Sequence, residues 1–429
     1  MVGECRSMTA EQFCVSVRDG THDSPRAVQH GRYLVTSRHI IGGRLDLGNA
    51  YLISQEDFDA INKRSKVDRW DVLISMIRTV GEPCLIKEDP EFAIKNIGLF
   101  KSRGEVEGKW LYYYLRSPDT QQIIREQSRG TTQQYIPLGA LRDFPVVAPT
   151  DKNEMRGFVD ILGTLDDKIE LNRRMNETLE AMARALFQSW FVDFDPVRAK
   201  AEGRDTGLPK HVADLFPDSF EDSELGEIPR GWEAGALGDV AEHPRRGVQP
   251  KQIEPTTPYI ALEHMPRRCI ALSEWDVADG LESNKFEFKS GEILFGKLRP
   301  YFHKVGVAPV DGVCSTDIVV VSPRTEEWFG FVLGHVSSDA FVEHTNAGST
   351  GTKMPRTSWG DMARYVVAIP PITLAKAFTA QILYAVDHII VSIHESRTLA
   401  PLRDTLLPKL ISGELRVNDA ERIAAEATA

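Results

Sequence analysis

Two short loops rich in glycine, serine and threonine carry the residue types that could hold a phosphate backbone. Such loops offer backbone N–H groups and hydroxyls to phosphate, and an arginine or lysine within them can reach a base edge. Simple turns have the same composition, so both interpretations stay open from the loops alone. The candidates are Arg129, Thr131 and Thr132 in the first loop and Ser349, Thr350, Thr352 and Lys353 in the second.

Further polar and cationic residues occupy turns outside these loops. Local cationic pairs could contact DNA or simply face solvent. Histidines could suggest catalysis or a metal, but none of the 11 forms an HxH or HExxH pattern, which favours loop or capping roles. The additional candidates for DNA contact are Thr21, His22, Ser37, Arg38, Arg245, Arg246, His264, Lys297 and Arg299.

The sequence lacks the motifs of methyl-group and nucleotide chemistry. A [DN]-P-P-[FYW] run for a flipped adenine is absent, since Asp195-Pro196-Val197 and Pro370-Pro371-Ile372 both depart from the pattern. There is no P-loop, and no G-x-G-x-x-G follows a strand-like run. The 5 cysteines form no CxxC pair, which argues against zinc and disulfide frameworks and fits a reducing cytoplasm. We therefore expect no catalytic, cofactor or metal site in this chain.

Composition and charge constrain the partners. The 429 residues suffice for about two to four domains. A net charge of −11 does not indicate a general nucleic-acid binder, so DNA contact must use local cationic clusters or a partner's surface. The N-terminal run lacks the apolar core of a signal peptide, and no apolar run approaches the roughly 18 residues of a membrane span. We expect a cytoplasmic protein without a membrane partner.

Residues 151–200 are predicted to form one long amphipathic helix. No proline lies between Pro149 and Pro196, and Asp195-Pro196 is expected to end the helix. The steps of three and four between apolar residues are typical of a coiled-coil seam, although a simple core helix has the same pattern. The apolar positions are Leu162, Leu165, Ile169, Met175, Leu179, Met182 and Leu186. Trp190 and Phe191 could dock a partner or cover the base of a globular domain.

A second copy of this helix indicates an internal repeat. A shift of 221 positions places Ile161 on Ile382 and Leu186 on Leu407. The second seam is predicted to run through Ile382, Val386, Ile389 and Ile393. Each long helix follows a strand-like run that ends in proline, so the two helices close two similar units.

The predicted order of segments is a globular unit, a helix, a linker, a second globular unit, a second helix and a tail. These segments span residues 1–150, 151–200, 201–230, 231–371, 372–416 and 417–429. Strand-like and helical runs mix in each globular unit, which predicts an α/β fold of the α+β kind. Repeated elements with divergent loops favour two modules that read different ligands, or a duplicated structural unit whose loops have drifted.

These features together resemble the specificity subunits of type I restriction-modification systems. The run LDDKIELNRRMNETLEAMARALFQSWFVDFDPVRAKAEG at 165–203 and the run LLPKLISGELRV at 406–417 are similar to the central and C-terminal repeats of that family. RDGTHDSP at 18–25 and the loops SRGTT and GSTGT resemble its target-recognition domains. The resemblance covers nearly the whole chain, except about the last dozen residues.

The resemblance implies two target-recognition domains separated by two long antiparallel coiled-coil helices in an internal pseudo-twofold repeat. Each domain would read one half of a bipartite, asymmetric target in double-stranded DNA, and the helices would dock two methyltransferase subunits. S-adenosylmethionine, for adenine N6 methylation, would belong to those subunits. ATP and Mg²⁺ would belong to two motor-nuclease subunits where restriction accompanies methylation. The chain itself would be a non-catalytic recognition subunit.

A second hypothesis stays open from the residues alone. The same loops would suit a two-module scaffold or regulator that binds a protein or another ligand. Salt-dependent binding of duplex DNA, measured with the methyltransferase present, separates the two hypotheses.

Overall fold

The computed structural model describes residues 5–130, 134–349, 351 and 354–428. Five residues that the sequence singles out, Thr131, Thr132, Thr350, Thr352 and Lys353, lie outside this described part. The chain forms two compact units, one of Met1–Lys168 with Thr398–Ala429 and one of Ile169–Arg397. Both units mix helices and strands, in agreement with the predicted fold class.

The first unit places short strands and helices in alternation. Its strands are β1 (Cys5–Thr9), β2 (Ser16–Asp19), β3 (Arg32–Thr36), β4 (Ile40–Ile41), β5 (Arg44–Leu45), β6 (Leu52–Ile53), β7 (Val72–Ser75), β8 (Pro83–Leu85), β9 (Phe92–Lys95), β10 (Ile97–Lys101) and β11 (Pro145–Pro149). Its helices before the first long helix are α1 (Ala10–Phe13), α2 (Gln55–Ser65), α3 (Glu105–Arg116), α4 (Pro118–Gln127) and α5 (Leu138–Arg142). Ser117 caps α4 and Pro118 occupies its first turn, so that α4 begins as a separate helix after α3.

One antiparallel sheet of the first unit has the strand order β2–β10–β7–β8. Every residue of β7 is buried, as its run of large apolar residues predicts. A second sheet has the order β6–β3–β9, in which β3 and β9 are parallel. Strand β11 returns to pair with β1 before the chain enters the long helix α6 (Lys152–Phe191).

The second unit repeats this order of elements. Its strands are β12 (Phe220–Ser223), β13 (Gly226–Pro229), β14 (Glu233–Ala236), β15 (Ala241–Glu242), β16 (Gly247–Val248), β17 (Pro258–Ile260), β18 (Asp276–Val277), β19 (Lys285–Phe288), β20 (Ile293–Gly296), β21 (Val305–Val307), β22 (Gly312–Cys314), β23 (Ile318–Pro323) and β24 (Val366–Ile369). Its helices are α7 (Asp195–Ala201), α8 (Lys210–Ala213), α9 (Leu237–Val240), α10 (Phe329–Val336), α11 (Asp339–Ala347) and α12 (Trp359–Ala363). The chain ends with the long helix α13 (Ile372–Ile411) and with α14 (Val417–Thr428).

The sheets of the second unit match those of the first in strand order. The antiparallel sheet β15–β23–β20–β21 corresponds to β2–β10–β7–β8. In the five-stranded sheet β16–β19–β22–β17–β18, strands β17 and β22 are parallel, as β3 and β9 are in the first unit. Strand β24 pairs with β14 in the way that β11 pairs with β1. The repeat predicted from the sequence is therefore visible in the order of strands within each unit.

The end of α6 corrects the sequence-based expectation. The helix stops at Phe191, and Phe194 takes a left-handed conformation with φ of 54°. Pro196 then lies in the first turn of α7, where its missing N–H does not interrupt a hydrogen bond. Asp195-Pro196 therefore begins a helix instead of ending one.

Residues 201–230 are more structured than the linker predicted for them. They include α8 and the hairpin of β12 and β13. The ring of Phe216 is buried and packs edge-on against Trp190, with 5.0 Å between the ring centroids. Phe191 and Trp232 belong to the same apolar cluster. The aromatic end of α6 is thus core, which resolves the two interpretations of Trp190 and Phe191 in favour of covering a globular domain.

The two long helices pair antiparallel within each unit. In the first unit, Asp166 of α6 bonds Arg403 of α13 at 2.5 Å. In the second unit, the Asn172 amide donates to Glu395 at 2.6 Å, and Phe187 lies 6.3 Å from Phe378 between ring centroids. Later residues of α6 meet earlier residues of α13 in the second unit, which defines the antiparallel direction.

Burial along α6 corrects the predicted seam in part. Leu165 is buried and Ile169, Leu179 and Leu186 are partly buried, whereas Met182 is 63% exposed. The polar residues Asn172, Asn176 and Glu180 are buried on the inner face instead. The helical period decides which positions face inward, whatever their polarity. On α13, the positions Ile382, Val386, Ile389 and Ile393 are all buried, as their spacing predicts.

Helix α13 is long and apolar enough, by length and composition alone, to cross a membrane. Its most apolar window has a mean hydropathy of 1.3, and 39% of that window is buried inside the protein. The buried side chains Leu374, Phe378 and Ile382 belong to the core of the second unit. This is the packing of a core helix.

Candidate nucleic-acid interface

In the first unit, the Gly/Ser/Thr loop is tied to the end of strand β7. The backbone N–H of Arg78 donates to the carbonyl of Gln134 at 3.3 Å. The N–H of Ile136 donates to the carbonyl of Met76 at 3.0 Å. These bonds tie Gln134 and Ile136, which follow the loop, to the residues after β7.

The second unit has the same frame at the end of strand β20. The N–H of Arg299 donates to the carbonyl of Pro355 at 2.7 Å, and the N–H of Thr357 donates to Lys297 at 3.1 Å. Every residue of this frame lies 221 positions after its counterpart in the first unit. The shift found for the helices therefore also relates the two loops, bond by bond.

Backbone conformation repeats with the hydrogen bonds. Gly130 and Gly351 have φ of 97° and 99°, which glycine adopts without strain. Arg78 and Arg299 have φ of 68° and 51° in the left-handed region, which is unusual for an arginine. The two frames thus share their geometry while most of their side chains differ.

Strand register brings His22 to the same sheet end as the first loop. Asp19 of β2 lies opposite Gly98 of β10, while Ile97 of β10 lies opposite Ser75 of β7. The side chain of His22 is 66% exposed, and two neighbouring side chains hold its ring. Its Nε2 lies 3.1 Å from the buried Asp19 carboxylate, and its Nδ1 lies 2.7 Å from the Asn96 side-chain oxygen. The imidazole is therefore held in one orientation at the surface, beside Thr21.

A cationic cluster occupies the equivalent end in the second unit. The pKa of His243 is lowered, first by burial and also by the positive charges of Arg245, Lys297 and Arg246, which places these three cations around one ring. Arg245 is exposed with φ of 48°, whereas Arg246 is ion-paired with Glu292. Arg245 and Lys297 are therefore the cations of this cluster available to a ligand, and Arg246 helps to shape the turn.

Other predicted residues have structural roles. His264 Nδ1 accepts a hydrogen bond from the Ala261 N–H at 3.0 Å, which caps a short turn. His39 does the same for the Thr36 N–H at 2.9 Å, and burial lowers the pKa of its imidazole. Ser37 is buried and donates to the Asn96 carbonyl. The capping interpretation of the histidines holds for His264.

The remaining candidates are scattered around these frames. Arg129 is exposed and pairs through its backbone with Tyr135 at 2.8 and 2.9 Å. The guanidinium of Arg38 donates to the His39 ring at 3.2 Å, and Ser349 follows the end of α11. Within the described residues, no group of three or more His, Cys, Asp or Glu side chains is placed to hold a metal.

Sequence reasoning singled out Arg299 but missed Arg78. The signal was present, because the shift of 221 that aligns the helices also places Arg78 on Arg299. It also assigned Met175 and Met182 to the inner seam, whereas they form an exposed apolar row with Leu171 on the outer face of α6. Their spacing of four and seven keeps these side chains on one side of the helix.

Comparison with known proteins identifies relatives of one kind. A family model described as the type I restriction modification DNA specificity domain matches residues 39–181. The chain is 24% identical over 327 residues to the MjaIX specificity subunit of a type I restriction enzyme from Methanocaldococcus jannaschii, with 73% of this chain and 70% of that protein covered. It is 25% identical over 363 residues to the HindI specificity subunit from Haemophilus influenzae, with 72% and 77% covered.

A solved structure agrees with the fold. The crystal structure of a type I restriction-modification S subunit from M. genitalium matches with a TM-score of 0.56 and 14% identity, over 95% of this chain and 96% of that one. At this identity the match supports the fold alone. The similarity to specificity subunits rests on the sequence comparisons.

Proposed function

Since the chain belongs to the family of type I restriction-modification specificity subunits, we propose that it reads a bipartite, asymmetric sequence in double-stranded DNA and directs methyltransferase subunits to it. As a specificity subunit it is the recognition component of such a system and not its catalyst. Each compact unit would read one half of the target through the loop frame at its sheet end.

One observation carries this proposal: the same backbone frame occurs twice with different side chains. Met76 and Tyr135 in the first unit stand where Lys297 and Arg356 stand in the second. Base edges in the major groove are discriminated by the hydrogen-bonding groups that face them. Two frames of equal geometry and unequal chemistry therefore suit two half-sites of unequal sequence.

The long helices would set the gap between the half-sites. Each contains 40 residues, and a stretch of about 30 residues measures about 45 Å at 1.5 Å per residue. One turn of B-DNA measures about 34–36 Å. Two units that each read one half-site would then leave an unread gap between the half-sites.

The same helices would dock the partners. We assign two methyltransferase subunits to the helical region, where the exposed row of Leu171, Met175 and Met182 offers an apolar surface. S-adenosylmethionine would be bound by those subunits, and ATP with Mg²⁺ by two motor-nuclease subunits where these are present. The assembly would work on DNA in the cytoplasm.

The decisive experiment is single-molecule methylome sequencing of cells with and without this gene. The expected result is one gapped, non-palindromic motif with N6-methyladenine that disappears with the gene. A mobility-shift assay of the chain with its methyltransferase should show duplex binding that weakens steeply with salt, because phosphate contacts release counterions. If every methylated motif persists without the gene and no salt-dependent shift is seen, the two-module scaffold is favoured instead.

A further inference from the structure

Arg78 and Arg299, two of the four arginines with left-handed backbone among the described residues, form a matched pair that the proposed function does not yet explain. Left-handed backbone is sparsely populated by residues other than glycine, asparagine and aspartate. Each arginine holds this conformation at the same step after a central strand, and each donates its N–H to a loop carbonyl. A glycine would take the same conformation without strain, so retention of arginine at both positions points to a use for the side chain.

The surroundings of each guanidinium leave its donors available. Within the described residues, no acidic side chain pairs with Arg78 or with Arg299. Arg78 is exposed. The Arg299 guanidinium carbon lies 5.9 Å from the centre of the Phe302 ring, and its buried Nε has no hydrogen-bond partner among the described residues. Contact with this ring restrains the guanidinium, and its terminal nitrogens make no hydrogen bond to the described residues.

A third left-handed arginine shows the contrast. Arg268 has φ of 54°, and its guanidinium is ion-paired with Asp339 at 2.7 Å. Its charge is therefore neutralised within the unit. Left-handed conformation alone does not mark a ligand-binding arginine; the combination with an unpaired guanidinium at the loop frame does.

On the premise that the chain reads DNA, we infer that Arg78 and Arg299 are the equivalent specificity-determining arginines of the two units, each reading one guanine in its own half-site. Arginine donates two parallel hydrogen bonds to guanine O6 and N7, the commonest base-specific contact. Such a contact needs the arginine placed at a fixed point of the frame, and in each unit the N–H bond to the loop carbonyl fixes its backbone there. A contact between arginine and a phosphate does not require such precise placement of the side chain.

The test uses the chain assembled with its methyltransferase and compares Arg78→Lys, Arg299→Lys and the control Arg268→Lys. Lysine keeps the charge but loses the planar fork. We expect Arg78→Lys to relax one base pair in one half-site by roughly 5- to 150-fold in discrimination, and Arg299→Lys to relax one base pair in the other. Arg268→Lys should leave the methylated motif unchanged.

A second measurement does not depend on the folding of variants. 7-Deazaguanine, which lacks the N7 acceptor, replaces each guanine of the target in turn, and binding of the wild-type complex is measured. One position in each half-site should be sensitive, and the Arg78→Lys complex should lose that sensitivity in one half-site only. If both lysine variants keep the full motif, the inference is overturned. It is also overturned if Arg78→Ala and Arg299→Ala weaken binding to all sequences equally and reduce the salt slope by about one, because the arginines then hold phosphate. If the wild-type complex marks no gapped motif, the proposed function itself has failed.

Discussion

Glu180 is the clearest place to test how the helix supports the second unit. Its carboxylate is 7% exposed and accepts hydrogen bonds from the backbone N–H groups of Ile270 and Ala271, both at 3.0 Å. The Cys269 thiol donates to the same group at 3.1 Å. Glu180→Ala removes this acceptor and leaves two donors beside a new cavity.

The expected loss of stability follows from those two bonds. Hydrogen bonds to a charged group contribute about 1.5–3 kcal/mol each, so we expect the free energy of unfolding of the second unit to fall by about 3–6 kcal/mol. This is a large share of the roughly 5–15 kcal/mol typical of a domain. Urea titration followed by tryptophan fluorescence measures the change, since Trp190 and Trp232 report on this core.

Glu177→Ala is the matched control, because Glu177 lies on the exposed side of the same helix and pairs only with Arg173 among the contacts described for it. That change should alter stability by less than about 1 kcal/mol. The thiol gives a second readout. The pKa of Cys269 is raised to about 12 by burial and then by Glu180, so Glu180→Gln should lower it and speed alkylation. Equal stability of the Glu180→Ala and Glu177→Ala proteins would refute the reasoning.

Three further predictions concern the helices and their core. Burial lowers the pKa of His335 to about 3, so below about pH 6.5 the unfolded chain binds more protons than the folded chain. The free energy of unfolding should therefore fall by up to about 1.4 kcal/mol per pH unit as the pH is lowered. In urea titrations between pH 7 and 5, His335→Phe should flatten this fall and the control His211→Gln should not. Ile389→Asp places a carboxylate among buried side chains, so the free energy of unfolding should fall by several kcal/mol and less methyltransferase should be recovered in a pull-down. The control Val391→Asp changes an exposed residue and should affect stability less. Unchanged assembly of the Ile389 variant would exclude a role of this face in helix pairing. Inserting about four residues at the same level of α6 and α13 lengthens both helices by about 6 Å, close to two base pairs. The methylated motif should then keep its half-sites and have a longer gap. A gap of unchanged length would contradict the spacer role.

The two long helices and the mixture of helices and strands in each unit could be predicted from periodicity, because burial repeats at 3.6 residues in helices and at two in strands. The seam of α6 shows the limit of this reasoning. Met175 and Met182 were chosen because they are apolar, yet Asn176 and Glu180 occupy the inner face. Buried polar residues find partners distant in sequence, such as the Ile270 and Ala271 amides, and a single helix does not reveal them.

The candidate site was predictable in its loops and in Arg299, but not in Arg78. Composition located the loops and Arg299, whereas the special status of Arg78 rests on its backbone angle, which depends on hydrogen bonds to a loop more than 50 positions away. Likewise, residues 201–230 were interpreted as a linker because their glycines and acidic residues disfavour a core. Phe216 packs on Trp190 all the same, since one aromatic ring can anchor an otherwise polar segment.

The division of the long helices has a consequence for synthesis of the protein. The second unit is one continuous stretch, Ile169–Arg397, whereas the first also needs Thr398–Ala429. In the first unit, Asp166 accepts hydrogen bonds from Tyr113 and Arg116, and its third partner, Arg403, is made only after the whole of the second unit. On the ribosome the second unit can therefore mature first, while the first unit waits for the residues that follow the second. A nascent chain that stops early would leave its oldest part unfinished and open to proteases.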